Sequence, residues 1–150
     1  MATHSVGSAE LRAQSLASIR VGDVMHPGVV LCRPGVSLLT VAGTMAAHRI
    51  HAVVVAPEGD AADWSLVSDL DVAAAVGEGQ VKSATAGQLA VTPNVSVHVD
   101  ETVPRAAQLM REYDTHHLTV LADHAKRPVG ILSTLDIADA VAELPLERER

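Results

Sequence analysis

The sequence repeats itself at a fixed interval of 65 residues, and this repeat constrains the fold more than any other feature of the chain. The segment VSDLDVAAAV, which starts at Val67, aligns without a gap on LSTLDIADAV, which starts at Leu132. The segment MAAHRIHAVVV, from Met45, aligns in the same way on MREYDTHHLTV, from Met110. Because a unit of this size buries too little surface alone, the chain is predicted to fold as two copies packed together.

Within each copy, the hydrophobic pattern predicts the element order β-α-β-β-α. The segments HPGVVLC and TPNVSVHV each place a β-branched run after a Pro-containing turn, which predicts a first strand. Apolar residues spaced by three and four then predict a helix that begins after Ser37 in one copy and Thr102 in the other, both suited to an N-cap. HAVVVA and HLTVLA predict second strands, WSLV and VGIL predict third strands, and Ser68 and Ser133 are expected to begin the closing helices.

The repeats divide the chain into five predicted segments. Repeat 1 covers residues 20–76 and repeat 2 covers residues 86–142, joined by a Gly-rich polar linker at 77–85. Residues 1–19 form an N-terminal extension that is expected to add a short helix, and residues 143–150 form a charged tail.

Composition excludes several classes of protein. The net charge of -7 opposes nonspecific binding to nucleic acid or to an anionic membrane, since those surfaces attract basic proteins. Cys32 is the single cysteine, so the chain can form neither an internal disulfide nor a four-cysteine zinc site, which suits a reducing cytoplasm. The sequence shows no signal-peptide pattern and no run of 18 apolar residues, so we expect a soluble cytoplasmic protein.

Together these features resemble a tandem pair of CBS domains, known as a Bateman module. The resemblance rests on the repeated element order, on the opening VGDVM, on a helix ending in Met with a His before the second strand, and on an S-x-x-D motif closing each third strand. It covers residues 20–142. The Gly that the family has at the third strand is present as Gly130, whereas the first repeat has Ser65 in its place.

The resemblance implies both a fold and a function. The fold class is α/β (α+β), with two β-α-β-β-α CBS repeats packed sheet to sheet with pseudo-two-fold symmetry. The family commonly binds adenosine nucleotides in clefts between repeats and often dimerises. The implied protein is a stand-alone homodimeric sensor that binds AMP, ADP, ATP or a related adenosine ligand, holds no tightly bound cofactor, and relays occupancy to an unknown effector protein.

The two S-x-x-D motifs, which begin at Ser68 and Ser133, allow two interpretations. From the residues alone, each fits a capping box with Asp in place of the usual Glu or Gln. The resemblance implies a second role, in which the Asp accepts hydrogen bonds from ribose hydroxyls and the helix start faces phosphate. One helix start can serve both roles, so both interpretations remain open.

The two implied clefts differ in charge. In the first motif the Ser is followed by Asp69, which repels phosphate, whereas the second motif has Thr134, which can donate a hydrogen bond. The resemblance also places basic residues that precede one repeat's second strand at the ligand of the other repeat, here Arg49 and His51. The predicted strong site comprises Asp136, Ser133, Thr134, Ile131, Val95, Ser96, Arg49 and His51.

The mate of this site is predicted to be weak or vacant, because Asp69 and Asp114 add negative charge there. Its predicted residues are Asp71, Ser68, Leu66, Val29, Val30 and His116. In both sites the apolar residues would hold the base by packing, and simple core packing explains them equally well.

Metal binding and catalysis have little support in the sequence. Eight His residues are present, but adjacent strand residues such as His116 and His117 point to opposite faces, and no H-E-x-x-H motif or cysteine pair occurs. The chain also lacks a nucleophile elbow, a phosphate-binding loop and a dinucleotide-binding motif. We therefore predict no metal and no enzyme activity. The alternative to a sensor is a ligand-independent structural dimerisation module with degenerate pockets.

Overall fold

The computed structural model describes residues 15–59, 63–90 and 94–144. Of the expected N-terminal helix, residues 1–14 lie outside this part of the chain, as do residues 145–150 of the tail. Residues 15–18 are helical. Among the described residues, no helix is both long enough and apolar enough to cross a membrane.

The described residues form two compact units, which do not coincide with the sequence repeats. The split unit combines residues 15–28 with residues 95–144. The continuous unit lies between them, within residues 29–94. Each unit therefore contains the segment that opens one repeat and the strands and helices that complete the other.

The element order confirms a mixed α+β fold with the predicted β-α-β-β-α core in each repeat. In chain order the elements are α1 (Val21–Val24), β1 (His26–Pro27), β2 (Leu31–Cys32), α2 (Leu38–His48), β3 (Ala52–Val55), β4 (Ser65–Ser68), α3 (Asp69–Gly77), α4 (Ala86–Leu89), β5 (Ser96–His98), α5 (Val103–Glu112), β6 (His117–Leu121), β7 (Gly130–Ser133) and α6 (Thr134–Ala142). The short helices α1 and α4, which open the repeats, were not predicted from the sequence.

Each unit has its own sheet. In the continuous unit, β3 lies between β2, to which it is parallel, and β4, to which it is antiparallel. In the split unit the order is β1-β7-β6-β5, with β5 and β6 parallel and the other pairs antiparallel. The split unit therefore carries one extra edge strand, β1.

The first strand predicted after the Pro-containing turn of HPGVVLC is present as β2, but the His-Pro pair of that turn forms a further strand, β1, that was not predicted. This segment forms two short strands, and β1 joins the sheet of the split unit while β2 joins the sheet of the continuous unit. Gly28 lies between them with a φ of 77°, a conformation that glycine adopts without steric cost. The chain turns there from one sheet to the other.

The predicted helix starts are confirmed. The Ser37 hydroxyl accepts a hydrogen bond from the Thr40 amide at 3.2 Å, and the Thr102 hydroxyl accepts one from the Arg105 amide at 3.4 Å. Each hydroxyl satisfies one of the amides that a helix leaves unpaired in its first turn.

One face of each sheet packs against the helices of its own unit. In the continuous unit the strand residues Val53, Val55 and Val67 pack with helix residues including Met45 and Ala86. In the split unit the core comprises Val21, Val97, Ala106, Met110, Leu118, Val120 and Leu132. Because α1 and α4 contribute the fully buried Val21 and Ala86, the opening helices belong to these cores.

Candidate ligand site

The start of α6 is built as a capping box. The Ser133 hydroxyl accepts a hydrogen bond from the Asp136 amide at 3.2 Å, and Oδ2 of Asp136 accepts one from the Ser133 amide at 2.8 Å. The capping interpretation of this motif is therefore confirmed. Thr134, the first helical residue, is exposed.

The second carboxylate oxygen of Asp136 has a partner that the sequence analysis missed. Nδ1 of His26 lies 2.8 Å from Oδ1 of Asp136. The Asp136 side chain is only 4% exposed, whereas that of His26 is 75% exposed. Since a carboxylate only accepts hydrogen bonds, the imidazole donates through Nδ1. These residues lie far apart in the sequence, and no local pattern indicates that they meet.

The backbone of β1 approaches β7 closely enough to explain this contact. His26 is opposite Ile131 and Pro27 is opposite Gly130, and the Gly28 amide donates to the Val129 carbonyl at 2.8 Å. A Cβ on Gly130 would lie 2.6 Å from the His26 carbonyl oxygen. The absence of a side chain at Gly130 therefore allows β1, and with it His26, to reach Asp136.

A row of residues crosses the sheet of the split unit beside this helix start. Ser96, Thr119, Ile131 and His26 occupy opposed positions on the successive strands β5, β6, β7 and β1. Directly opposed residues share a face of a sheet, so these four side chains share one. The Ser96 and Thr119 hydroxyls lie 2.8 Å apart. Two predicted site residues, Ser96 and Ile131, are thus on one face together with the unpredicted His26.

Val95 does not share this face. Its side chain packs against the core of the split unit. Its carbonyl accepts a hydrogen bond from the Thr119 amide at 3.1 Å. Side chains alternate along a strand, so Val95 and Ser96 point in opposite directions.

Arg49 and His51 belong to the continuous unit, where His51 already has a partner. Nδ1 of His51 lies 2.9 Å from Oδ2 of Asp69, and both side chains are exposed. Arg49 is the C-cap of α2 and has a left-handed backbone with a φ of 52°. Both residues line a shallow depression of about 440 Å³, together with Ala42, Met45, Ala46, Ile50, Asp69 and Val72. Their contribution to the strong site stays a prediction.

The start of α3 in the continuous unit has the same capping box. Oδ2 of Asp71 accepts a hydrogen bond from the Ser68 amide at 2.9 Å, and the Ser68 hydroxyl accepts one from the Asp71 amide at 3.3 Å. The first helical residue here is the exposed Asp69. The two helix starts therefore share their geometry and differ in charge at the first position.

The sheet beside this second helix start is aliphatic. Leu31, Val54 and Leu66 are opposed on β2, β3 and β4, where the split unit has Ser96, Thr119 and Ile131. The family resemblance makes Val30 the first-repeat equivalent of Ser96, whereas the strand register gives that place to Leu31, one residue further along. Three other residues predicted for this site lie outside the opposed row. Val29 and Val30 are half-buried, and His116 is exposed.

Two further observations concern possible metal ligands and the single thiol. In residues 15–59, 63–90 and 94–144, no three His, Cys, Asp or Glu side chains are grouped so that they could hold a metal ion. Cys32 is half-buried on β2, and this burial raises the pKa of its thiol above the ordinary value. A raised pKa disfavours the nucleophilic thiolate.

Comparison with known proteins identifies the family. The model of the CBS domain matches residues 21–77 and residues 86–143, which together make up most of the chain. The protein therefore belongs to the CBS domain family and contains a tandem pair of these domains, as the sequence motifs predicted. A comparison with curated protein sequences finds no significant match.

Solved structures of CBS domain pairs share the fold. Hypoxic Response Protein I, solved with two coordinated zinc ions, is 27% identical over 81% of this chain and 98% of its own, with a TM-score of 0.63. A CBS domain protein from Pyrobaculum aerophilum complexed with AMP is 23% identical over 83% of this chain and 98% of its own, with a TM-score of 0.69. A hexameric CBS-CP12 protein from bloom-forming cyanobacteria is 20% identical over 87% of this chain and 76% of its own, with a TM-score of 0.75.

Proposed function

We propose that the protein is a non-catalytic regulatory module that binds an adenosine-type nucleotide at the start of α6. The observation that carries the proposal is the combination of an exposed Thr134 at the first helical position with a carboxylate at Asp136. A structure of the same fold that was solved with AMP supports this ligand class. On this proposal AMP, ADP, ATP or a related compound is a reversible ligand and not a tightly bound cofactor.

Each part of such a ligand has a suitable chemical partner in the split unit. The Ser133, Thr134 and Asp136 amides already donate within the protein, so the Leu135 amide of this nine-residue helix and the Thr134 hydroxyl are the proposed donors to phosphate. The Asp136 carboxylate can accept from ribose hydroxyls. Ile131 offers apolar surface and Ser96 a hydroxyl for the base, and they share one sheet face.

The same chemistry makes the start of α3 the weaker site. Asp69 replaces Thr134 at the first helical position, and its negative charge repels phosphate. The aliphatic row Leu31, Val54 and Leu66 offers no hydroxyl to a base. Selective binding at α6 follows from these differences.

The regulatory part of the proposal concerns the consequences of binding. A ligand changes a protein's conformation only through different affinities for two states, and a partner protein would read that change. We propose a cytoplasmic homodimer as the form that binds the effector. Arg49 and His51 are the predicted additional cations for the phosphate.

Calorimetry with AMP, ADP, ATP, NAD and S-adenosylmethionine tests the proposal, with Thr134→Asp as the decisive variant. The new carboxylate is expected to lower AMP affinity about tenfold or more, because it repels phosphate at the helix start. The melting temperature should not fall, since Asp is favourable in the first turn of a helix. Binding of uncharged adenosine should change little.

The matched control is Asp69→Thr at the equivalent position of α3. This variant keeps Thr134 and Asp136 but releases His51 from its 2.9 Å contact with Asp69, so the affinity at α6 should not fall, and any gain at α3 should appear as a second binding event. Absence of saturable binding for every compound, or equal AMP affinity in wild type and Thr134→Asp, would contradict the proposal.

A ligand-independent dimerisation module is the second candidate, and exposed leucines favour it. Leu70 on α3 and Leu135 on α6 occupy equivalent positions and are 61% and 58% exposed. Large apolar side chains at matching surface positions suit an interface between protein chains. Light scattering of wild type and the double variant Leu70→Lys, Leu135→Lys tests it, with Leu121→Lys as control. A dimer lost only in the double variant and unaffected by AMP supports this candidate, and a monomeric wild type excludes it.

A further inference from the structure

The His26 side chain covers the carboxylate on which the proposed ligand depends. Its Nδ1 lies 2.8 Å from Oδ1 of Asp136, and the Asp136 side chain is 4% exposed. Oδ2 of the same carboxylate already accepts the Ser133 amide at 2.8 Å within the capping box. A ribose hydroxyl that approaches Asp136 from solvent therefore meets the imidazole at Oδ1.

The backbone of His26 is held in place, whereas its side chain is exposed and held only by its hydrogen bond to Asp136 among the contacts described above. Pairing of β1 with β7 and the 2.8 Å hydrogen bond from the Gly28 amide to the Val129 carbonyl hold the strand against the sheet. The imidazole itself is 75% exposed. Rotation of an exposed side chain between staggered rotamers takes only picoseconds to nanoseconds. Access to Oδ1 thus requires a rotamer change and no movement of the strand.

We propose that His26 is a gate that determines ligand specificity at Asp136. A ligand with ribose hydroxyls replaces the hydrogen bond that the imidazole gives up, whereas a dideoxyribose ligand cannot replace it. If such a ligand displaces His26, Oδ1 of the buried carboxylate loses its hydrogen-bond donor. Leaving a buried acceptor unpaired is costly in binding free energy. The inference rests on the proposed function, because it concerns the same carboxylate.

The gate lowers the apparent affinity for every ligand that needs Asp136. When only a fraction of molecules has the open rotamer, the apparent dissociation constant rises in inverse proportion to that fraction. Removing the imidazole should therefore tighten binding, which is the opposite of what the loss of a ligand contact does. This difference in sign separates the gate from a direct contact.

Calorimetry with AMP on His26→Ala tests the gate, with two further variants for comparison. His26→Ala is expected to bind AMP about tenfold more tightly, because the ribose hydroxyls no longer compete with the imidazole for the Asp136 carboxylate. His26→Asn should behave like wild type, because its side-chain amide can donate at nearly the position of Nδ1. His98→Ala is the control, because it breaks an exposed His98–Asp123 pair of 3.1 Å in the same unit and should leave the affinity unchanged.

NMR of the wild-type protein gives a second measurement, which holds even if a His26 variant fails to fold. The ring nitrogen signals of His26 should shift when AMP is added and should stay unchanged with the 2′,3′-dideoxy analogue of AMP. Unchanged ring signals with saturating AMP overturn the gate. Unchanged or weaker AMP binding by folded His26→Ala overturns it as well.

The proposed function and the gate fail in different ways. If neither wild type nor His26→Ala binds AMP, the proposed function fails, and the gate fails with it. If AMP binds and Thr134→Asp weakens it, but His26→Ala does not strengthen it, the gate alone fails.

Discussion

At the scale of single residues, close contact decides where the chain can carry a side chain. Gly130 faces the His26 carbonyl and the Met25 sulfur, and a Cβ would lie 2.6 Å from each. The equivalent position in the first repeat is Ser65, which carries a side chain. One glycine therefore permits β1 to pair with β7, and this pairing brings His26 to Asp136.

Gly130→Ala is expected to destabilise the protein by roughly 1–3 kcal/mol, because the added methyl group overpacks the contact between β1 and β7. Gly43→Ala is the control. Gly43 lies in α2 with no other atom near its missing Cβ, so alanine there should stabilise the helix by roughly 0.5–1 kcal/mol. Urea denaturation measures both changes, and equal effects of the two variants would contradict the argument.

The Cys32 thiol is expected to react slowly with iodoacetamide at neutral pH. Desolvation by burial raises the pKa of this thiol, so less of it is thiolate than in an unfolded chain. The rate should increase as the pH is raised toward that pKa. Alkylation followed by mass spectrometry measures the rate, and the same protein unfolded in guanidinium is the control. A native rate equal to or above the unfolded rate would show that the thiolate of Cys32 is not disfavoured in the folded protein.

At the scale of elements, the helix starts follow local rules while the strands do not. Ser37, Ser68, Thr102 and Ser133 all cap helices as their sequence context predicts. A cap depends on residues within one turn, so a short window contains the necessary information. The strand β1 was not predicted, because its partner β7 is distant in the sequence.

Ser68→Ala is expected to destabilise the protein by roughly 1 kcal/mol, since its hydroxyl accepts the Asp71 amide at the start of α3. Ser83→Ala is a suitable control, because Ser83 is an exposed residue in a turn. The free energy of unfolding of Ser83→Ala should stay within roughly 0.5 kcal/mol of the wild-type value. Thermal and urea unfolding provide the measurement, and a loss at Ser83 as large as at Ser68 would argue against the capping role.

At the scale of the whole molecule, the compact units exchange the opening segments of the repeats. Val21, from the start of repeat 1, is fully buried in the core formed by repeat 2 residues such as Leu118. Ala86 and Leu89, from the start of repeat 2, are buried in the core of the continuous unit. A cut at the repeat boundary would remove part of a core from both units.

Deletion of residues 1–28 is expected to weaken the split unit more than the continuous unit. The deletion removes Val21 from the core and uncovers the edge of β7 that pairs with β1. Hydrogen exchange should show a larger loss of amide protection in Gly130–Ser133 than in Ala52–Val55. The continuous unit of the same chain is the internal control. Equal loss in both strands, or none, would contradict this division of the cores.

The candidate site shows which parts of a binding surface can be read from a sequence. Ser133, Thr134 and Asp136 were predicted because they share one helix start with a recognisable motif. Ser96 and Ile131 were predicted only through family resemblance, and the strand register places them on one face. His26 was missed, since its contact with Asp136 depends on the pairing of β1 with β7.

The amino-acid sequence by itself determined the repeat, the family, the β-α-β-β-α core of each repeat and the helix caps. These properties depend on spacing and on contacts within a few residues, which a linear pattern preserves. Only the tertiary structure decided that the segment before Gly28 leaves its own repeat and that an imidazole covers the buried carboxylate of Asp136. Both follow from pairing between distant strands, whose free energy depends on the packing of the whole unit.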